Sequence, residues 1–394
     1  MADNKYSDAD IISLTNRVLG LGSGNSGSYS IFRGLNALGG IPALPHNTDD
    51  QGLVFLTKPA LNLSYQNVIG IRKMVYLTDY NAYSMGNVIR CMLNPPFFDP
   101  HDSDNTDLSN NTRSAIIDDK CAFLPISNLL LSMSAPPDIV ADTYTSNEGY
   151  AKEQVSWIDG KPFINNVYDL SLTFANMEGD PLTTIFTTWV EYAQFICEGR
   201  MIPYPAFIIA NEIDYQTRIW RLVLDRSKTF VQDIYACGAA FPTTSPIGGK
   251  FGFTRDQHIN PEANQLQINF RCIGAMYNDP ILITEFNNTV VTFNADMADN
   301  VRSANMTQIK GVDKLTGFSL KNLFNFRMYP YIASNMELQW YASNTDYNLI
   351  MNMIQNISSG NIQVNSLMTS DLSKATDNSN ISKVQDKGPF ATRK

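Results

Sequence analysis

Between residues 167 and 199 the spacing of apolar side chains changes from every second position to every third or fourth. No single regular element accommodates both periods. Tyr168, Leu170, Leu172 and Phe174 alternate with Asp169, Ser171 and Thr173, the pattern of a strand with one buried face. Leu182, Ile185, Phe186, Trp189, Ala193 and Ile196 then form one helical stripe. The stretch therefore predicts a strand, a short acidic turn and a helix laid back across the sheet. In the turn, Asp180 is expected at the N-cap, accepting a bond from an orphan backbone N–H, with Pro181 at the first helical position and Gly199 as the C-cap. Glu178 and Asp180 thus read as turn and cap residues, not as a catalytic pair.

Further strands are predicted over 51–65, closed by Lys58-Pro59, and over 211–225, 229–241 and 264–274. In the last, Leu266, Ile268, Phe270 and Cys272 alternate with Gln265, Gln267, Asn269 and Arg271. Pro-, Gly- and Asn-rich segments separate them: a glycine-rich start, a loop or insertion over 94–120, a polar connector over 142–154, and a loop over 242–262. From about Gln355 the chain turns polar and reads as an extended tail. The expected class is mainly β (α+β), several antiparallel strands with one long helix across them.

At 394 residues, 44% hydrophobic, the chain can bury a substantial core. Its net charge of -9 argues against partners held by a basic surface, such as nucleic acid or anionic membrane. The N-terminal residues show neither a basic start nor an apolar run, so no secretory leader is expected, and no stretch approaches membrane-spanning length. The expected setting is a reducing cytoplasm or a particle assembled there. Cys91, Cys121, Cys197, Cys237 and Cys272 are scattered without a CxxC pair and read as small buried hydrophobes. The three histidines, His46, His101 and His258, leave few options for proton transfer.

Three constellations could carry chemistry. Asp102, Asp104 and Thr106 imitate the start of a calcium loop, but Asp107 stands where a glycine is needed and Arg113 where the closing Glu belongs. Glu212 and Asp214 fall on one face of a predicted strand and could pair as hydrolytic carboxylates, but Gln216 and Arg218 continue that face, so a polar sheet surface accounts for all four. Gly248 and Gly249 beside Lys250 lack the spacing and following helix of a phosphate loop, and read as loop residues. No catalytic, cofactor-binding or metal-binding residue is assigned.

The order "GLVFLTKPALNL", "LSLTFANMEGDPLTTIFTTWVEYAQFICEG", "NEIDYQTRIWRLVL", "ACGAAFPTTSP", "QINF" and "ILITEFN" resembles virion structural proteins of large tailed bacteriophages, of the tail-tube type. The resemblance covers residues 49–294. It implies an antiparallel β-sandwich or barrel with one flanking helix, about 181–198, and subunits that close into rings, commonly hexamers. Residues 1–48 would then be an N-terminal arm with loops, 49–294 the tube-like β domain with its insertion around 94–120, and 295–394 a C-terminal extension with a polar tail. The implied role is a tail tube or tube-like ring subunit around the DNA conduit, with no enzymatic activity and no cofactor. Implied partners are further copies of itself and neighbouring tail proteins such as sheath, neck or baseplate, with DNA passing unbound and no membrane. The implied location is the phage tail, contractile in type, assembled in the host cytoplasm. Two other readings stay open: a neck, baseplate or other ring protein, and a carbohydrate-binding or glycan-hydrolysing β-sandwich using Trp157, Trp220 and Trp340 as stacking faces.

Overall fold

A computed structural model describes residues 50–96, 113–114, 116–160, 166–177, 179–225, 228–251, 264–309 and 327–358. In chain order its strands are β1 (Asp50–Leu56), β2 (Leu130–Met133), β3 (Thr143–Thr145), β4 (Ser156–Ile158), β5 (Val167–Ala175), β6 (Ile219–Leu224), β7 (Val231–Pro242), β8 (Gln265–Tyr277), β9 (Met306–Ile309), β10 (Tyr329–Ile332) and β11 (Leu338–Ser343). Its α-helices are α1 (Tyr65–Val68), α2 (Met85–Leu93), α3 (Pro181–Cys197), α4 (Pro205–Ala210), α5 (Ile247–Lys250), α6 (Ile281–Phe293), α7 (Arg302–Asn305) and α8 (Tyr347–Ser358).

Six strands form an antiparallel sheet in the order β1-β6-β7-β8-β5-β2. The segment leading into β2 reaches back to the opposite edge: Lys58 N–H donates to Ala122 O at 2.9 Å, and Leu124 N–H to Leu56 O at 2.7 Å. Thr57 and Phe123 form an antiparallel bridge between those bonds. The sheet is thereby nearly closed, which satisfies part of an edge that would otherwise be open. The class is mainly β with helices packed against the sheet, as the alternating patterns predict.

The period-two reading of β5 and β8 maps directly onto the structure. Leu170, Leu172 and Phe174 are opposite Phe270, Ile268 and Leu266 in register, and all six are buried. α3 covers them. Its Phe186 ring meets Phe174 at 5.4 Å and stands edge-on to Phe270 at 6.0 Å, and Trp189 stands edge-on to Phe270 at 6.3 Å. Trp189 also donates its indole N–H to Tyr215 O at 2.7 Å, so the ring is buried without leaving a polar atom unpaired. Each such large apolar side chain contributes about 1.5–3 kcal/mol when fully buried.

The helix ends differ in how well they were foreseen. Asp180 is at the N-cap with Pro181 behind it, but in the left-handed region at φ 58° and ψ 46°, and its side chain makes no cap bond to the first turn. Its Oδ1 instead accepts from Thr183 Oγ1 at 2.9 Å and Asn176 Nδ2 at 2.7 Å, tying the turn together through side chains. At the other end Gly199, at φ 70°, follows the C-cap residue Glu198. Gly199 N–H bonds Ile196 O and Arg200 N–H bonds Phe195 O, the paired bonds of a Schellman motif. Arg200 closes it by lying over the Phe195 ring at 4.7 Å.

The opposite face of β1, β6 and β7 is buried as well. Phe286 of α6 packs against Phe55, Phe123 and Trp220 at ring distances of 5.3 to 5.5 Å. The small sheet β10-β11-β9 completes that second core with Met306, Tyr329, Ile332 and Trp340. Residues beyond 294 therefore share one core with the first strand of the large sheet. In β6, Trp220, Leu222 and Leu224 face this second core while Ile219 faces the first, so the strand is buried on both faces only at its start.

Several elements differ from the sequence reading. The strand expected over 211–225 is only Ile219–Leu224, preceded by α4 and an irregular segment. α4 ends at Asn211 in the left-handed region, φ 55°, which turns the chain before a strand can start. Among the described residues, helices α2, α6 and α8, of 9, 13 and 12 residues, and four shorter ones add to the one expected. Gly248 and Gly249 lie in the single helical turn α5, not in a loop. The 142–154 connector contains β3, paired with β4. α8 runs to Ser358, past the expected start of the tail at Gln355. The N-terminal arm, most of the 94–120 insertion and residues 359–394 lie outside the described residues.

Candidate assembly surface

The sequence-predicted chemical candidates are separated by the fold. Asp214 is buried, with 2% of its surface exposed, while Glu212 is exposed. The polar sheet face proposed for them does not exist, because neither lies in a strand. Asp214 turns inward because Tyr192 O–H of α3 donates to its Oδ2, and Asn62 N–H donates to the same hydroxyl at 3.0 Å. Burial raises the Asp214 carboxyl above its ordinary range, against the opposing pull of the Tyr192 bond. The pair is a buried link between α3 and the segment before β6. Its partners are satisfied, and it offers no opening for substrate.

The other candidates fare similarly. Asp102, Asp104, Thr106, Asp107, Glu178 and the three histidines lie outside the described residues. Arg113 pairs with Asp119, its Nε donating to Oδ2 at 2.9 Å. Among the described residues no group of three His, Cys, Asp or Glu side chains is placed to hold a metal ion. Cys91, Cys121, Cys237 and Cys272 are buried as expected, but Cys197 at the end of α3 is exposed. Burial lifts the Cys121 thiol to about 11 and the Lys58 ammonium falls for the same reason, although Lys58 still donates to Asp118 O at 2.7 Å. Trp220 and Trp340 are buried, so of the three proposed stacking faces only Trp157 is accessible. No described helix is long and apolar enough to cross a membrane.

What the structure does present is apolar surface. β3 and β4 form a two-stranded antiparallel ribbon whose six residues are all exposed. Tyr144 and Trp157 face each other across it, ring centroids 4.8 Å apart, with 46% and 51% of their surfaces exposed. Val155 continues the face and Ile158 occupies the other. A ribbon of this size is marginal alone in water and gains stability only when a further strand or surface covers it. The second apolar surface is α4, Pro-Ala-Phe-Ile-Ile-Ala, which buries none of its residues. Ile208 and Ile209 are exposed on it, the latter to 82%, flanked by exposed Ile202 and Ile213. Neither feature was visible as a pattern: three-residue strands are too short to show alternation, and a helix with its apolar residues outward has no polar face to read.

Comparison with known proteins gives these surfaces a context. A family model described as "Putative phage tail tube protein" matches residues 4–357. A search of curated proteins gives no match. Among solved structures, the chain is similar to the anti-feeding prophage cap, the AFP tube terminating cap determined by cryo-EM. That match has 17% identity, covers 38% of this chain and 78% of that one, and has a TM-score of 0.24, a likeness too slight to carry an argument. The family match spans nearly the whole described fold, and the chain therefore belongs to this phage tail tube family, with a structural role in the tail of the virion.

Proposed function

We propose that the chain is a tail tube or tube-like ring subunit that assembles with copies of itself into a cyclic oligomer, a hexamer by resemblance, around the DNA conduit. The observation that carries this reading is the exposed ribbon bearing Tyr144, Val155 and Trp157, which is apolar on a surface where a monomer gains nothing from it. Family membership supports a tube over a generic virion part. The reading includes contact with neighbouring tail proteins such as sheath, neck or baseplate, assembly in the host cytoplasm, a contractile tail, and no catalytic role. Net charge of -9 is consistent with a conduit that repels the phosphate backbone and lets DNA pass. Negative-stain electron microscopy of the purified full chain is the test. Rings or stacked tubes with a central channel are expected. Discrete rings that never stack would place the chain at a neck or baseplate, and monomers alone at high concentration would overturn the reading.

A further inference from the structure

The two apolar surfaces lie at opposite ends of the same strands. β1 begins at Asp50 opposite Leu224 and ends at Leu56 opposite Ile219, which defines two ends of the large sheet. Tyr277, the last residue of β8, pairs with Tyr235 near the start of β7, and so belongs to the Asp50 end. Its hydroxyl donates to Pro137 O, anchoring the segment that leads into the β3–β4 ribbon. The ribbon therefore leaves the sheet at the Asp50 end. α4 precedes Ile219 and is tied to the chain that follows Leu56. Ala60 N–H donates to Asp214 O at 3.1 Å, and Ile202 N–H to Asn67 Oδ1 at 3.1 Å. It sits at the Leu56 end.

We infer that the ribbon face of Tyr144, Val155 and Trp157 docks on the Ile202, Ile208 and Ile209 surface of a second copy of this chain, head to tail. This deepens the reading as a self-assembling tail subunit and rests on it. Two different surfaces at opposite ends of one subunit are what a heterologous contact requires, since each copy then offers one of each and the series can continue. Charge favours the same pairing. The ribbon segment, residues 134–160, carries Asp138, Asp142, Glu148, Glu153 and Asp159 against a single Lys152. The chain beside α4 is close to balanced: Lys73 pairs with Glu191 at 2.7 Å and Arg200 with Glu198 at 3.4 Å, with Arg72 and Glu212 also exposed. Like charges would oppose ribbon-to-ribbon association, while the balanced α4 end carries no such repulsion.

The test uses the full chain with Trp157→Asp or Ile209→Asp, both at exposed positions, with circular dichroism and melting as controls for folding. Tyr144→Asp and Ile208→Asp replace either variant if it fails to fold. By sedimentation velocity each variant alone is expected to stop at a unit smaller than wild type. An equimolar mixture is expected to form a species of twice that mass and stop there, because one intact ribbon meets one intact α4 surface. Wild-type-like assembly by both variants would overturn the pairing while leaving self-assembly standing. Doubling by Ile209→Asp alone would overturn it in favour of ribbon-to-ribbon contact. A mixture no heavier than its components would overturn it in favour of another occupant, such as residues 1–49 of the same chain. Wild type that stays monomeric would overturn both this pairing and the functional reading beneath it.

Discussion

Trp189 and Asp180 show how differently two residues of one helix are determined. Trp189 lies at the centre of the α3 stripe, fully buried, and truncation to Ala is expected to cost about 3–5 kcal/mol in urea denaturation. Its burial was legible from spacing alone. Asp180→Ala removes two side-chain bonds and leaves a non-glycine residue at φ 58°, for an expected cost of about 1–2 kcal/mol. The residue's position at the cap was legible, but its partners were not, because a left-handed backbone redirects the carboxylate and nothing in the local sequence announces that. Asp214 makes the same point more sharply. An acidic residue in a polar-looking run reads as exposed, and only the fold brings Tyr192 to meet it. Its folded-state pKa is raised above the ordinary 3.8, so the native state holds this proton more tightly than the unfolded chain does. That contribution is fully present below 3.8 and is lost as pH rises through the folded-state value. Wild type is therefore expected to lose stability relative to Asp214→Asn as pH rises across this window, and urea melts of both proteins over a pH series measure it.

At the scale of elements, legibility followed how many faces an element buries. β5, β8 and α3 each bury one face and show it as a period. β6 and β7 lie between two cores, and their near-continuous apolar runs blur both the period and the ends. α2 buries Asn87 and Arg90, with Arg90 over the Tyr80 ring at 4.7 Å and bonded to Asn87 Oδ1 at 2.8 Å, so its inward positions read as polar. α6 is rich in Ile, Val and Thr, which favour strands, and packing against Phe55 and Trp220 overrides that preference. The β3–β4 ribbon stands at the other extreme, burying nothing. Deleting residues 142–159 is expected to leave the melting temperature and the β-rich circular dichroism spectrum of the monomer unchanged while assembly stops at the smaller unit expected of Trp157→Asp. A large loss of stability would mean the ribbon packs on its own subunit.

For the whole molecule, charge and fold class were the readable quantities. An excess of 38 acidic over 29 basic residues predicts that the full chain does not retard duplex DNA in a gel shift at moderate salt. Tight, salt-sensitive binding would be incompatible with a passive conduit. Assembly geometry was not readable, because it depends on which apolar residues the fold leaves outside. That sorting is decided by contacts distant in sequence.

The strands β1, β6 and β7 are common walls of both cores, with Phe55 and Trp220 facing one side while Leu56 and Ile219 face the other. A subunit built this way has no seam. Melting the small sheet exposes Trp220 and Phe286, and loosening α3 uncovers the reverse side of the same wall, so neither half has a stable form without the other. Calorimetry of the monomer is expected to show one transition, with matching calorimetric and van't Hoff enthalpies. In a tube, a load applied to any subunit would then be carried across a single rigid wall, and the assembly would yield at the contacts between subunits before it yields within them.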